Sequence, residues 1–267
     1  MNEIETIFCK LLKCGRGDLY LDKARSPLGV KQLNRLEAIL KNRVSGQPLQ
    51  YLIGDVEFMG LRIKVKEGVL IPRPETEILV ERAVEEISAK RKASCSILDI
   101  GTGSGNIAIA LAKFLKGSRI CAIDISDICL SAARANARLN RVASRITFLR
   151  SDLFACFKEK NEAFDFIVSN PPYIAEAEMR DLPESVRREP GLALLAKEGG
   201  LYFYSRIEKG SRKYLKAGGM LFLEIGDGQG KGISEIFSDR AIWKKPGFFN
   251  DLAGIERVAI IERQSNG

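Results

Sequence analysis

The sequence has 267 residues and a formal net charge of +8, with 45% hydrophobic and 28% charged residues. This length leaves room for one large domain and a smaller companion, and the composition excludes a disordered or membrane-embedded chain. No apolar run approaches the roughly 18 residues that a membrane span needs, and residues 1–13 lack the apolar stretch of a secretion signal. We therefore expect a cytoplasmic protein that does not contact membranes.

Histidine is absent from the sequence, which excludes serine-histidine and cysteine-histidine nucleophiles and any histidine general base. The six cysteines form no CxxC pair, so buried thiols are favoured and no metal site is predicted. The positive charge suits an anionic partner, but the basic residues are scattered. Direct nucleic-acid binding is therefore not expected.

Two helical patterns predict a small N-terminal bundle over residues 1–50. The first places Ile4, Ile7, Phe8, Leu11 and Leu12 on one face, and the second places Leu33, Leu36, Ile39 and Leu40 before Gly46 and Pro48 end it. Residues 51–72 alternate apolar and polar positions, which predicts a β-ribbon linker. A proline and acids then begin another helix, so the third predicted unit, the catalytic domain, covers residues 73–267.

From residue 96 onwards, short apolar runs alternate with helical segments. This pattern predicts an α/β fold, with a Rossmann-like, mostly parallel sheet flanked by helices. The tail, RVAIIER, suits a last strand that pairs antiparallel and closes the sheet.

A glycine-rich loop follows the first strand of this predicted sheet. In DIGTGSG, which runs from Asp99 to Gly105, Gly101, Gly103 and Gly105 allow a sharp turn and a ligand close to the backbone. Thr102 and Ser104 complete the loop. The spacing departs from G-x-G-x-x-G, which disfavours NAD as the ligand.

Carboxylates follow the next two predicted strands. Asp124 lies about 20 residues after the loop, where an acid can accept hydrogen bonds from ribose hydroxyls. Asp152 and Leu153 follow the third strand, where an acid and an apolar neighbour suit an adenine edge and face. Open α/β sheets bind ligands at the carboxyl ends of their strands, so we expect these residues to form one site with the glycine loop.

The fourth strand, FDFIVS, runs into Asn170-Pro171-Pro172-Tyr173. Two prolines stiffen this tetrapeptide, which alone is also compatible with a plain rigid loop. Its position at the carboxyl end of a strand favours a functional role.

The tetrapeptide after a G-x-G-x-G loop resembles the amino-methyltransferases that act on planar nitrogen in adenine, guanine or glutamine amides. A longer pattern covers nearly the whole chain and is similar to the release factor glutamine methyltransferases, the PrmC/HemK family. Besides the two motifs already described, it comprises Arg43, Gly46, Pro48, the run YLIG at 51–54, Phe58, LIPRPETE at 70–77 and EIGDGQG at 224–230. In the run REPGLALLAKEGGL at 188–201, Glu189-Pro190 and Ala193-Leu194 fit the family pattern but LAKEGG departs from it, so no role is assigned to this run.

The resemblance implies a class I methyltransferase domain that uses S-adenosyl-L-methionine (SAM) and releases S-adenosyl-L-homocysteine. The implied acceptor is the side-chain amide nitrogen, N5, of the glutamine in the Gly-Gly-Gln motif of class I peptide chain release factors, which the N-terminal domain grips. The implied cofactor-binding residues are Asp99, Gly101, Thr102, Gly103, Ser104, Gly105, Asp124, Asp152, Leu153 and Asn170, and the implied catalytic and substrate-binding residues are Asn170, Pro171, Pro172 and Tyr173.

An amide nitrogen is a poor nucleophile because its lone pair is delocalised into the carbonyl. We therefore expect the Asn170 side-chain oxygen and the Pro171 carbonyl to accept the two N–H bonds of the substrate amide. Tyr173 either walls the acceptor plane or packs in the core.

Two alternatives remain open. An adenine N6-methyltransferase acting on RNA or DNA could use the same tetrapeptide, but it needs a stacking and phosphate surface, and residues 1–50 show no basic cluster with interleaved aromatics. A non-catalytic RNA-binding or scaffold protein could keep this fold, although the intact glycines, Asp124 and Asn170 argue against lost function. We expect a monomer.

Overall fold

The computed structural model describes residues 2–21, 28–90, 94–157 and 164–265. Its N-terminal part contains four helices, α1 (Glu3–Leu12), α2 (Arg16–Tyr20), α3 (Val30–Val44) and α4 (Leu49–Ile53). The Asn2 side chain accepts from the Glu5 backbone N–H, and the Glu5 side chain accepts from the Asn2 N–H, so a capping box starts α1. The predicted helical N-terminal region is confirmed.

The core of these helices is small. It consists of Ile7, Leu11, Ile39, Leu49 and Ile53, with Leu36 and Leu52 packed against it. Several residues of the predicted apolar faces lie outside it, since Ile4 is 67% exposed and Leu33 and Leu40 are about half exposed. The apolar stripe of α3 is therefore wider than the core that it covers.

A β-hairpin follows α4, formed by strands β1 (Asp55–Phe58) and β2 (Leu61–Lys64), which pair antiparallel. The hairpin lies within residues 51–72, where a β-ribbon linker is predicted, but residues 51–53 belong to α4 rather than to a strand. Pro48 precedes this short helix, and Gly54 ends it with φ of +87°. The proposed domain boundaries at residues 50 and 72 stay predictions.

A seven-stranded sheet forms the centre of the molecule. Its strands are β3 (Cys95–Ile100), β4 (Ser118–Asp124), β5 (Ile146–Arg150), β6 (Phe164–Ser169), β9 (Leu215–Glu224), β10 (Gly247–Asn250) and β11 (Glu256–Glu262). They lie in the order β10-β11-β9-β6-β3-β4-β5, and all neighbours except β10-β11 and β11-β9 are parallel. The class I methyltransferase sheet and the antiparallel last strand are thus confirmed.

Helices cover both faces of the sheet. They are α5 (Pro74–Ala89), α6 (Asn106–Phe114), α7 (Asp127–Leu139), α10 (Tyr202–Tyr214) and α11 (Gly230–Ile236). Along β6, the buried Phe166 and Val168 belong to the cluster with α5 and α6, whereas the buried Ile167 packs in the cluster with α10 and α11. Both faces of the parallel strands are apolar because both are covered.

Short elements that the sequence did not predict lie between β6 and α10. They are strands β7 (Ile174–Ala175) and β8 (Leu195–Ala196), which pair in parallel, and helices α8 (Glu184–Arg187) and α9 (Gly191–Leu194). Within the described part of the chain, no helix is both long and apolar enough to cross a membrane.

Asn136 of α7 joins the hairpin to the glycine-rich loop. This fully buried side chain accepts from the Lys64 backbone N–H and donates to the carbonyls of Lys64 and Ser104, each at 2.9 Å. One side-chain amide thus satisfies the buried Ser104 carbonyl and two part-buried backbone groups of Lys64, as a neighbouring strand would do.

We expect Asn136→Ala to destabilise the fold by about 2–4 kcal/mol, because it leaves the buried Ser104 carbonyl and two part-buried groups of Lys64 without this partner. Asn140→Ala is the control, since Asn140 makes an exposed bond to the Arg62 carbonyl, and it should cost no more than about 1 kcal/mol. Urea denaturation of both variants measures the difference. Equal losses would contradict the anchoring role of Asn136.

Candidate functional site

The glycine-rich loop turns sharply between β3 and α6. Gly101, Gly103 and Gly105 all have positive φ, at +71°, +54° and +83°. At Gly105 a Cβ would also lie 2.9 Å from the Cβ of Ala133 on α7. The loop therefore requires glycine both for its backbone conformation and for its close packing on a helix.

Asp99 lies in β3, immediately before this turn, and is fully buried. Its Oδ2 accepts a hydrogen bond of 2.6 Å from the Thr102 hydroxyl, and the Ala108 backbone N–H also acts on the carboxyl group. Burial raises the pKa of Asp99 to about 7. An ionised Asp99 would be stabilised by a cation placed beside Oδ1.

Asp124 ends β4 and holds the loop from the other side. Its carboxylate accepts from the backbone N–H groups of Gly103 and Ser126, each at 2.8 Å. Burial raises the pKa of Asp124, while these bonds favour its charged form. A carboxylate has about four lone-pair sites, so these backbone bonds leave acceptor capacity for a ligand.

Asp152 and Leu153 lie at the same edge of the sheet, because the Ser151 N–H donates to the Asp124 carbonyl at 2.9 Å. The Asp152 carboxylate is half exposed and forms a 2.9 Å ion pair with Arg206 of α10. Leu153 has a positive φ of 47°, which is uncommon for leucine. The structure thus brings the predicted pair to the edge that holds Asp124, with the acid already paired.

The tetrapeptide at 170–173 directly adjoins the glycine-rich loop. It follows β6, which neighbours β3, and the Ser169 hydroxyl donates to the Ile100 carbonyl at 2.9 Å. A Cβ built on Gly101 would lie 4.0 Å from the backbone oxygen of Asn170. Pro171 is buried, while Asn170, Pro172 and Tyr173 are partly exposed.

A chain of hydrogen bonds behind Asn170 was not predicted from the sequence. The Asn170 Nδ2 donates to the Thr76 Oγ1 at 3.1 Å, and the Thr76 hydroxyl donates to the Glu224 Oε2 at 2.6 Å. The Tyr173 hydroxyl donates to the other oxygen of Glu224 at 3.3 Å. One sequence feature marks this site, since an acid ends the otherwise apolar run MLFLE of β9.

Glu224 is 1% exposed, and burial raises its pKa to about 7. Burial likewise raises the pKa of the Tyr173 hydroxyl above its usual range. The Tyr173 hydroxyl therefore keeps its proton and donates a hydrogen bond to Glu224. Its ring also packs against the core cluster around β6 and β9. Of the two predicted roles for its ring, core packing is present, and the ring also borders a cavity.

This cavity of about 240 Å³ opens in front of Asn170. Its charged lining groups are Arg73, Glu75, Glu224 and Arg257, and its apolar ones include Leu70, Ile174, Val186 and Leu194. Arg73 pairs with the buried Glu189, and Arg257 pairs with Asp251 at 3.0 Å. Both arginines of the lining are thus neutralised within the protein.

Glu189 explains where the unassigned run at 188–201 lies. Its Oε2 accepts from the Ile71 N–H at 2.9 Å, and its Oε1 pairs with Arg73. The start of this run is therefore fixed to the PRPETE segment, and Leu194 reaches the cavity wall. Among the described residues, no group of three or more acids and cysteines has the geometry of a metal site.

Comparisons with known proteins agree with this geometry. A family model described as Methyltransferase small domain matches residues 75–218, and another described as PrmC N-terminal domain matches residues 1–54. The protein named Release factor glutamine methyltransferase in Thermodesulfovibrio yellowstonii is 38% identical over 272 residues, which cover 100% of this chain and 94% of that one. Its namesake in Chlorobaculum tepidum is 45% identical over 227 residues, or 83% of this chain and 76% of that one.

Among solved structures, the N-terminal domain of human METTL16 in complex with SAH has a TM-score of 0.55 and 21% identity. The match covers 78% of this chain and 77% of that chain. This likeness concerns the fold alone.

Glu224→Gln should stabilise the protein at alkaline pH. The folded-state pKa of about 7 lies above the ordinary value of 4.5, so Glu224 costs stability as pH rises from about 4.5 to 7. At about pH 8 the variant should gain on the order of 2–3 kcal/mol, and at about pH 4 it should match the wild type, where Glu224 is protonated in both states. Denaturant titrations at both pH values measure this, and an equal difference at both would contradict the raised pKa.

Proposed function

This chain belongs to the release factor glutamine methyltransferase family, and we propose that its Asn170 and Pro171 hold the amide that receives the methyl group. SAM is the methyl donor, and the acceptor is a glutamine side chain of a release factor. The transfer leaves S-adenosyl-L-homocysteine as the second product.

We assign SAM binding to the carboxyl edge of the sheet. The glycine-rich loop, with Thr102 and Ser104, lies against the cofactor, and the remaining acceptor capacity of Asp124 serves the ribose hydroxyls. The buried Asp99 carboxyl group, which has no cationic partner in the described structure, suits the positive charge of this cofactor. Asp152 and Leu153 border the adenine, which requires Asp152 to share its carboxylate with Arg206.

The bound cofactor supplies a methyl group that is strongly activated by the sulfonium. The protein therefore needs to align and polarise the acceptor amide more than to ionise a base, and alignment alone can contribute several kcal/mol. A site of this kind works without histidine, which the sequence lacks.

The orientation of the Asn170 amide is the observation that carries the proposal. Because its Nδ2 donates to Thr76, its Oδ1 is directed away from Thr76 and is left to accept a substrate N–H. The Pro171 carbonyl accepts the second N–H, since proline fixes the backbone there. Two acceptors on one nitrogen bias it towards a tetrahedral shape, with its lone pair towards the methyl group.

Pro172 and Tyr173 complete the acceptor site in this proposal. Pro172 restricts the backbone before and after it, which keeps the Pro171 carbonyl aligned. Tyr173 borders the plane of the amide, and its bond to Glu224 holds the ring in place.

The charge of the cavity suits a neutral amide better than a nucleic acid. Arg73 and Arg257 are paired with carboxylates, and Glu75 and Glu224 add negative charge to the lining. Nucleic-acid sites instead present unpaired cations and stacking rings. This argues against the adenine N6-methyltransferase alternative.

We assign release factor recognition to the N-terminal domain, residues 1–50, with residues 51–72 as the linker to the catalytic domain, 73–267. The exposed face of α3 supports this role, because Val30, Leu33, Leu40 and Val44 lie along one side of the helix and are between 48% and 89% exposed. A row of exposed apolar side chains is typical of a protein-binding surface.

Asn170→Ala should reduce the single-turnover rate by on the order of a hundredfold or more, because one of two oriented acceptors is lost. Asn170→Asp should keep reduced but detectable activity, since it retains an oxygen and adds a charge. The measurement uses saturating SAM and intact release factor.

The control is Asn250→Ala, an exposed asparagine of β10, which should turn over at the wild-type rate. A release factor with its target glutamine changed to alanine should take up no label, whereas labelling of RNA or DNA would favour the alternative function. A rate for Asn170→Ala within a few-fold of wild type would sink the proposed role.

Leu33→Asp combined with Val44→Asp should raise the KM for intact release factor about tenfold or more, because charges replace the apolar contacts of α3. SAM affinity and methylation of a short peptide containing the target glutamine should not change. Phe114→Asp, at the exposed end of α6, is the matched control. If the α3 double variant and the Phe114→Asp control have the same KM for release factor, α3 does not contact the release factor.

A further inference from the structure

Two family motifs outside the tetrapeptide, PRPETE and EIGDGQG, meet behind it. Thr76 of the first begins α5, and Glu224 of the second ends β9. Although 148 positions separate them, their side chains form a buried hydrogen bond of 2.6 Å directly behind Asn170. Thr76 is 2% exposed and Glu224 is 1% exposed, so both side chains are almost fully buried.

We propose that Thr76 and Glu224 are positioning residues that fix which end of the Asn170 amide faces the substrate. This inference rests on the proposed role of Asn170 as an acceptor. The amide oxygen is useful only if it points into the cavity, and the two ends of an asparagine amide have nearly the same shape.

A threonine hydroxyl alone cannot make this choice, because it both donates and accepts. The ionised Glu224 can only accept hydrogen bonds, so the Thr76 hydroxyl donates to it. The Thr76 oxygen is then left as an acceptor. Asn170 must then turn its NH2 group to Thr76, as observed at 3.1 Å. Its oxygen is consequently presented to the cavity.

The surroundings of Glu224 favour this use of its charge over a purely structural one. Tyr173 donates to its second oxygen, and Tyr204 donates to its backbone carbonyl at 3.0 Å. The charge of Glu75 raises the pKa of Glu224 and the charge of Arg257 lowers it. Arg257 forms no ion pair with Glu224 in the described structure, because it pairs with Asp251. A buried carboxylate without a cation costs stability, whereas an amide of the same size would not.

The direction of the chain should depend on pH. The pKa of Glu224 is about 7, and below this pH the protonated Glu224 can itself donate a hydrogen bond to Thr76. The Thr76 hydroxyl can then donate to the Asn170 oxygen instead. This allows the Asn170 side-chain amide to rotate by about 180°, so that its NH2 group faces the cavity. The rate should therefore rise as pH increases through about 7, the range in which Glu224 ionises.

The test compares Thr76→Val, which removes the hydroxyl but keeps the shape, with Thr76→Ser, which keeps it. In single turnovers with SAM and intact release factor, we expect Thr76→Val to be at least about tenfold slower and Thr76→Ser to stay within about threefold of wild type. The SAM dissociation constant should change little in either.

The same change is then made in the Asn170→Ala protein. If Thr76 acts through Asn170, Thr76→Val should slow that protein by no more than about twofold. An equal slowing in both backgrounds overturns the proposal, because a merely structural threonine would give it. If Asn170→Ala is slow but Thr76→Val is not, this inference fails alone, whereas a fast Asn170→Ala overturns the role of Asn170 as well.

Glu224→Gln provides a variant that we expect to fold at least as well as wild type. The glutamine side chain can donate as well as accept, so the hydrogen bonds from Asn170 through Thr76 no longer have a fixed direction. We expect a slower rate at about pH 8 and no rise through about pH 7. A wild-type pH profile in this variant would exclude Glu224 from positioning Asn170.

Discussion

The site depends on one constraint, which is that neighbouring parallel strands end at the same edge of the sheet. β3, β4, β6 and β9 deliver the glycine-rich loop, Asp124, Asn170 and Glu224 to that edge. A Cβ built on Gly101 of the loop would lie 4.0 Å from the Asn170 backbone oxygen. Cofactor and acceptor groups therefore meet because of strand order.

Burial at this edge sets the electrostatics. Asp99 and Glu224 are both enclosed and both have a pKa raised to about 7. In a folded protein such carboxylates cost stability near neutral pH. Asp99 suits a cationic ligand, and Glu224 suits the orientation of a hydroxyl. The stability that each buried carboxylate costs therefore accompanies a different role in the site.

The N-terminal helices differ from the sheet in how their apolar residues are used. In the sheet nearly all of them are buried between two layers, whereas α3 buries Ile39 and leaves Leu33, Leu40 and Val44 exposed. A small core that covers only part of an apolar stripe leaves the remainder for another molecule. This contrast fits a catalytic body joined to a recognition unit.

The sequence by itself determined the local features: the helices, the strands, the glycine-rich turn and the stiff tetrapeptide, since each depends on neighbouring residues. Strand order was within reach because parallel α/β folds follow few patterns. Only the tertiary structure decided that Thr76 and Glu224 meet behind Asn170 and that Glu189 binds Ile71 and Arg73. Contacts between residues more than a hundred positions apart depend on how layers pack, and no local pattern records them.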